Sequence, residues 1–234
     1  GNIFQELNQL KDAVKYYEKA IKIKSNYPEA HNNLGSVFKE LKEFDLAIKS
    51  YQMAINIKPD YAEAYNNIGI VYKELGQLDD AIKSHEKALN IIPDYAEAHN
   101  NLGIILIEDR QLNEAIERFK KAIAADSIFI EAYNNLGSAL MEFNDFDLSL
   151  ENFQKALSIN PKYVEAHNNL GRLFMHLGQL DDAVACFQKS IKINHDYEYA
   201  HNNLGLAFSD LGNLDDSMKS YKRAISINPK YFEP

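Results

Sequence analysis

Histidine, cysteine and carboxylate side chains carry the chemistry for metal binding, nucleophilic attack or acid-base work, so their spacing decides whether any of it is within reach. His31, His99, His167 and His201 stand at one register of a recurring pattern. Adjacent helical copies pack roughly 10 Å apart, whereas zinc ligands lie about 2 Å from one ion. These four cannot share a metal, and they read as buried rings. Cys186, the one cysteine, has no sequence-local His or Asp to activate it and cannot close an internal disulfide. No serine sits in a nucleophile elbow and no phosphate-binding glycine loop appears. The carboxylates repeat with every copy, as a surface does and a unique acid and base pair does not. No enzyme, metal or cofactor is expected within these residues.

One polar group recurs more strictly than any of these. Asn33, Asn67, Asn101, Asn135, Asn169 and Asn203 follow one another at intervals of 34 residues. A carboxamide is both donor and acceptor, so a row of them can pair with successive peptide groups of an extended guest whatever its sequence.

The elements that would hold such a row follow from the same period. We number each copy so that the asparagine is position 6; copies then begin at Pro28, Ala62, Ala96, Ile130, Val164 and Glu198. Positions 4, 7, 8 and 11, as in Tyr65, Ile68, Gly69 and Tyr72, share one face of an α-helix. Glycine at position 8 costs an isolated helix about 1 kcal/mol relative to Ala, so another backbone is expected to come close there. Gly76, Gly178, Gly212 and Asn144 at position 15 are suited to the left-handed residue that ends a helix. A second helix starts near Asp45, Asp79 and Asp181, where carboxylates meet its positive end.

The buried stripe of that second helix is a small residue at position 20 (Ala47, Ala81, Ala115, Ala183), a ring at position 24 (Tyr51, Phe119, Phe153, Phe187, Tyr221) and alanine at position 27. Ser149, Ser217 and Ser190 replace those small residues and are expected to bond a carbonyl one turn back. Pro59, Pro93, Pro161 and Pro229 are expected to end it. Positions 3 and 10, such as Ala64 and Val71, supply the contact with the adjoining copy, without which a hairpin cannot bury its apolar face.

The offsets His31-x-x-Leu34-Gly35-x-x-Phe38, Ala47-x-x-x-Tyr51, Ala54 and Pro59 resemble the tetratricopeptide repeat, and the resemblance covers essentially the whole chain. It implies an all-α, right-handed superhelical solenoid of helix-turn-helix units. Residues 1–234 would form a single array: a partial repeat over 1–27, full repeats over 28–61, 62–95, 96–129, 130–163, 164–197 and 198–231, and the start of a further one at 232–234. Gly1 falls at position 8 of the partial copy, so the ends look like cut points in a longer protein. In this family the first helices line the concave wall, which would make the asparagine row a binding surface. It resembles the asparagine ladder in the repeat domain of O-GlcNAc transferases and a similar one in kinesin light chains; only those six positions carry over.

Acidic rows flank the amides, Glu29, Glu63, Glu97, Glu131 and Glu165 at position 2 and Glu40, Glu74, Glu108, Glu142 and Asp210 at position 13. They favour a neutral or basic guest. Ile70, Ile104, Ile107, Met141, Met175 and Leu206 at positions 9 and 12 are candidate hydrophobic anchors, unless they lean onto the next copy and are covered. Some family members grip an acidic C-terminus with Lys and Arg at positions 2, 5 and 6; Glu, Asn and Asn stand there in this chain, which puts such a guest in doubt.

A formal charge of -9 disfavours nucleic acid. No apolar run approaches the ~20 residues of a membrane span, and the lone cysteine fits a reducing, cytoplasmic location. The expected function is a protein interaction scaffold binding an extended peptide or partner protein. The alternatives are the substrate-recognition part of a larger enzyme, such as an O-GlcNAc-transferase-like glycosyltransferase, and head-to-tail self-association through apolar end faces.

Overall fold

The computed structural model describes residues 9–229; Gly1 and residues 232–234, read above as parts of incomplete repeats, lie outside them. Among the described residues every regular element is an α-helix. The chain divides into two compact units, Gly1–Asp126 and Ser127–Pro234. The first contains α1 (Leu10–Ile23), α2 (Pro28–Glu40), α3 (Phe44–Ile57), α4 (Ala62–Glu74), α5 (Leu78–Ile91), α6 (Ala96–Glu108) and α7 (Leu112–Ala125). The second contains α8 (Ile130–Glu142), α9 (Phe146–Ile159), α10 (Val164–His176), α11 (Leu180–Ile193), α12 (Glu198–Asp210) and α13 (Leu214–Ile227).

Each first helix ends the same way. In α4 the amide of Gly76 donates to the carbonyl of Lys73 and that of Gln77 to Tyr72, which satisfies carbonyls the last turn leaves free. The residue at position 15 is left-handed in every such turn: Gly76, Gly178 and Gly212, Asn144 at φ 62°, and also Lys42 at 59° and Arg110 at 61°. Side chains with a Cβ are disfavoured in that region. Lys42→Gly and Arg110→Gly should therefore each stabilise their unit by about 0.5–1 kcal/mol, read as a higher urea midpoint at unchanged slope; a lower midpoint refutes the strain.

Proline is not what ends the second helices. At position 31, Lys58 and Ile92 are extended before Pro59 and Pro93, as proline requires of its predecessor. Asp126 and Asn194 are extended in the same way before Ser127 and His195. The stop is set by the whole repeat, with proline only reinforcing it.

Nor is a backbone what lies nearest the position 8 glycine. The ring at position 24 lies over it: a Cβ on Gly35 would stand 2.7 Å from the Tyr51 ring, and one on Gly103 would stand 2.6 Å from Phe119. Ser149, Ser217 and Ser190, which replace the small residues of the second-helix stripe, act across the hairpin and not along their own helix. Ser149 Oγ donates to the carbonyl of Gly137 and Ser217 Oγ to that of Gly205, each at 2.7 Å, while Ser190 Oγ donates to Val164 at 3.1 Å. Without side chains, the glycines leave their carbonyls open to a partner on the facing helix.

Stacking then completes the core. Ala47 and Tyr51 of α3 cluster with Ile68 and Val71 of α4. Ala183 and Phe187 of α11 cluster in the same way with Leu204 and Ala207 of α12. Each large side chain so covered contributes roughly 1.5–3 kcal/mol, so a hairpin is stable only with its neighbour in place.

Candidate peptide-binding face

With positions 3, 4, 7, 8 and 10 of the first helices turned inward, positions 2, 6, 9 and 13 are left on the opposite side. In α4 these are exposed Glu63, half-buried Asn67, half-buried Ile70 and exposed Glu74. The asparagines do not lie loose on this face. Asn67 Nδ2 donates to Asn32 Oδ1 at 3.1 Å, and Asn101 Nδ2 to Asn66 Oδ1 at 3.1 Å. In the second unit Asn169 Nδ2 donates to Asn134 Oδ1 at 3.0 Å, and Asn203 Nδ2 to Asn168 Oδ1 at 2.9 Å. Asn33 and Asn135 are engaged as well.

The acceptors in these pairs are the position 5 asparagines of the preceding repeat, a role the sequence reading left unassigned. They are buried, Asn32 completely, and a buried carboxamide must find partners. Asn32 spends its Nδ2 on Glu63 Oε1 at 2.9 Å. Asn66 Oδ1 also receives the Nδ1–H of His85 at 3.0 Å, and its side chain is hydrogen-bonded to the Tyr95 hydroxyl. The signal was visible as an unbroken Asn-Asn doublet, but helix geometry alone puts position 5 about 100° from position 6 and does not reveal that the two meet across the stack.

His85 is the second residue that the sequence reading missed. It takes the ring position over Gly69, is fully buried, and has no partner for Nε2. Burial lowers its pKa to about 4. Three other histidines tie loop to helix. The Nε2–H groups of His99 and His167 donate to the carbonyls of Pro93 and Pro161 at 2.9 Å, and that of His201 to His195 at 3.0 Å. Tyr133 does the same through its hydroxyl to Ser127 at 3.3 Å. Among the described residues no three of His, Cys, Asp and Glu come together in a way that could hold a metal. Cys186 is buried, which raises its thiol pKa and keeps it protonated.

The candidate anchors divide. Ile70, Ile104 and Ile107 are half-buried and Leu206 is 44% exposed. Met175 is half-buried against the Phe187 cluster, and with Leu206, Asn203, Arg172 and His176 it lines a shallow hollow. Met141 is not an anchor: it is buried with Phe153, Leu170, Leu173 and Cys186. Position 12 in α8 thus turns into the stack, towards residues of α9, α10 and α11.

Glu63, Glu97 and Glu131 are exposed. Their field reaches the tyrosines that precede each first helix. The Tyr61 hydroxyl is pushed up to about 12, first by burial and then by Glu63 and Glu29. Tyr95 rises to about 12 through burial, Glu97 and Glu63. Lys73 neutralises Glu108 at 3.1 Å. Lys87, Lys121, Lys155 and Lys189 are exposed on the second helices, away from this face.

Comparison with known proteins agrees with this architecture. Family models for the tetratricopeptide repeat match residues 60–127 and 198–231, and the TPR repeat model matches 1–42, 35–76, 137–178 and 171–212. The crystal structure of MamA is similar at 30% identity over 70% of this chain and 96% of its own, with a TM-score of 0.59. PilW, described as a widely conserved type IV pilus biogenesis factor, shares 25% identity over 88% of this chain and 95% of its own, with a TM-score of 0.79. YrrB, described as a TPR protein with an unusual peptide-binding site, shares the fold at 23% identity over 79% of this chain and 95% of its own, with a TM-score of 0.58. No curated protein matches the chain. None of the described helices is long and apolar enough to cross a membrane.

Proposed function

We propose that this chain, which belongs to the tetratricopeptide repeat family, is a non-catalytic scaffold that binds an extended, neutral or basic peptide segment in the groove lined by its first helices. Proteins of this family generally mediate protein–protein interaction. The observation that carries the reading is the repeated presentation of one amide: Asn67, Asn101, Asn169 and Asn203 each donate Nδ2 to the buried asparagine of the preceding repeat, beside exposed carboxylates. Evenly spaced, sequence-blind hydrogen bonding suits an extended backbone. The exposed Glu63, Glu97 and Glu131 select against acidic guests, while Ile70, Ile104, Ile107 and Leu206 give an apolar side chain something to cover. Asn33 and Asn135 belong to the same rows.

An array of unstructured peptides graded from acidic to basic should show retention of the neutral and basic members. Asn67→Ala combined with Asn101→Ala should weaken that binding by about tenfold, at unchanged helicity, because two hydrogen bonds worth roughly 0.5–1.5 kcal/mol each are lost. Equal retention of acidic peptides, or an affinity indifferent to the double variant, would remove this face from the account.

A further inference from the structure

The direction of the asparagine pairs says more than their existence. In all four, the buried position 5 carboxamide accepts and the half-buried position 6 carboxamide donates. The buried partner cannot easily be reversed: Asn32 has its Nδ2 on the Glu63 carboxylate, and Asn66 has its Oδ1 on the Nδ1–H of His85. Turning the Asn32 amide over would set its oxygen against the Glu63 carboxylate, and turning Asn66 over would require the other tautomer of His85, with its N–H at the buried Nε2 that has no partner.

These four position 6 amides are therefore held by their nitrogens, and the oxygen is the end turned away from the pair. Among the described residues, Oδ1 of Asn67, Asn101 and Asn203 takes no hydrogen bond, and that of Asn169 takes only a long one of 3.5 Å from Arg172. The neighbouring exposed groups, Glu63, Glu97 and Glu131, are also acceptors only when ionised.

We infer that the buried asparagines Asn32 and Asn66 in the first unit and Asn134 and Asn168 in the second are positioning residues that make this face of each unit a set of hydrogen-bond acceptors, and that its partner is a donor-rich extended segment, bound through backbone N–H groups and Lys or Arg side chains. The inference deepens the function proposed above and rests on it. A guest whose backbone offers few N–H groups, such as a proline-rich one, is disfavoured even when its charge is right.

The test uses an alternating Lys-Gly dodecapeptide and its depsipeptide counterpart, in which each glycine is replaced by glycolic acid. An ester oxygen then stands where each glycine N–H was, at the same size and charge. Calorimetry with the native chain should give roughly tenfold weaker binding of the depsipeptide, and an alternating Glu-Gly peptide should not bind. The triple variant Asn32→Ala, Asn134→Ala, Asn168→Ala releases three groove amides and leaves the His85 bond alone. Freed to rotate, those amides can offer N–H as well as oxygen, so the ratio of the two affinities should fall towards one at retained helicity, a change that a loss of stability alone does not produce.

Equal affinities for peptide and depsipeptide, or tight binding of the Glu-Gly peptide, overturn the acceptor row. A ratio unchanged in the triple variant overturns the positioning role. Should the Lys-Gly peptide bind but ignore Asn67→Ala with Asn101→Ala, the groove itself is wrong. If that double variant matters while the ester ratio is one, the groove stands and only its polarity falls. No binding of the Lys-Gly peptide at all overturns both.

Discussion

Lowering the pH from 7 to 4 should cost the chain about 3 kcal/mol of stability through one side chain, His85. Its ring fills the position that Phe119 fills in the next repeat, fully buried against Gly69, and burial lowers its pKa from 6.5 to about 4. The physical reason is specific. Nδ1–H is met by Asn66 Oδ1, so protonation must place a second N–H at Nε2, where no acceptor is present. The sign follows from proton counts. Between pH 6.5 and 4 the unfolded chain binds a proton at this residue and the folded chain does not, so stability is full above 6.5 and declines as the pH falls towards 4. At 1.36 kcal/mol per unit the difference amounts to about 3 kcal/mol. Urea titrations followed by circular dichroism at several pH values would read it. His85→Phe should flatten the profile over that interval; a variant as acid-sensitive as the parent would show that carboxylates, and not His85, set the decline.

That histidine also marks the limit of what the sequence discloses. The repeat period, the two-helix unit and the left-handed residues at Gly76, Gly178, Gly212 and Asn144 were all legible, because each follows from local pattern and backbone sterics. Lys42 and Arg110 in the same conformation were not, since nothing in their chemistry asks for it and the hairpin imposes it. The site was half legible. The spacing of the position 6 amides put them on one face, yet their hydrogen bonds run to position 5 of another repeat, a relation that depends on how helices stack and not on any single helix. Met141 shows the same dependence from the other side: position 12 is half-buried at Ile107 and buried at Met141, because the residue across from it, and not its own type, decides whether it is covered.

Gly171→Ala should destabilise the second unit by about 1–3 kcal/mol, although alanine is the better helix former. The helix itself would gain about 1 kcal/mol from the change. Against this, an added Cβ would stand 2.5 Å from Cε1 of Phe187, a distance at which something must move. The ring cannot swing aside: Phe187 is fully buried and packed with Ala183, Leu204 and Ala207, so α10 and α11 must separate and the cluster loosens with them. Overpacking of this kind costs more than the helix regains. Phe187→Leu alone should also destabilise, through the volume it vacates. Combined, the two changes relieve one another, and the double variant should be less destabilised than their sum by at least about 1 kcal/mol. Additive losses in denaturant titrations would mean that glycine is not there to receive the ring.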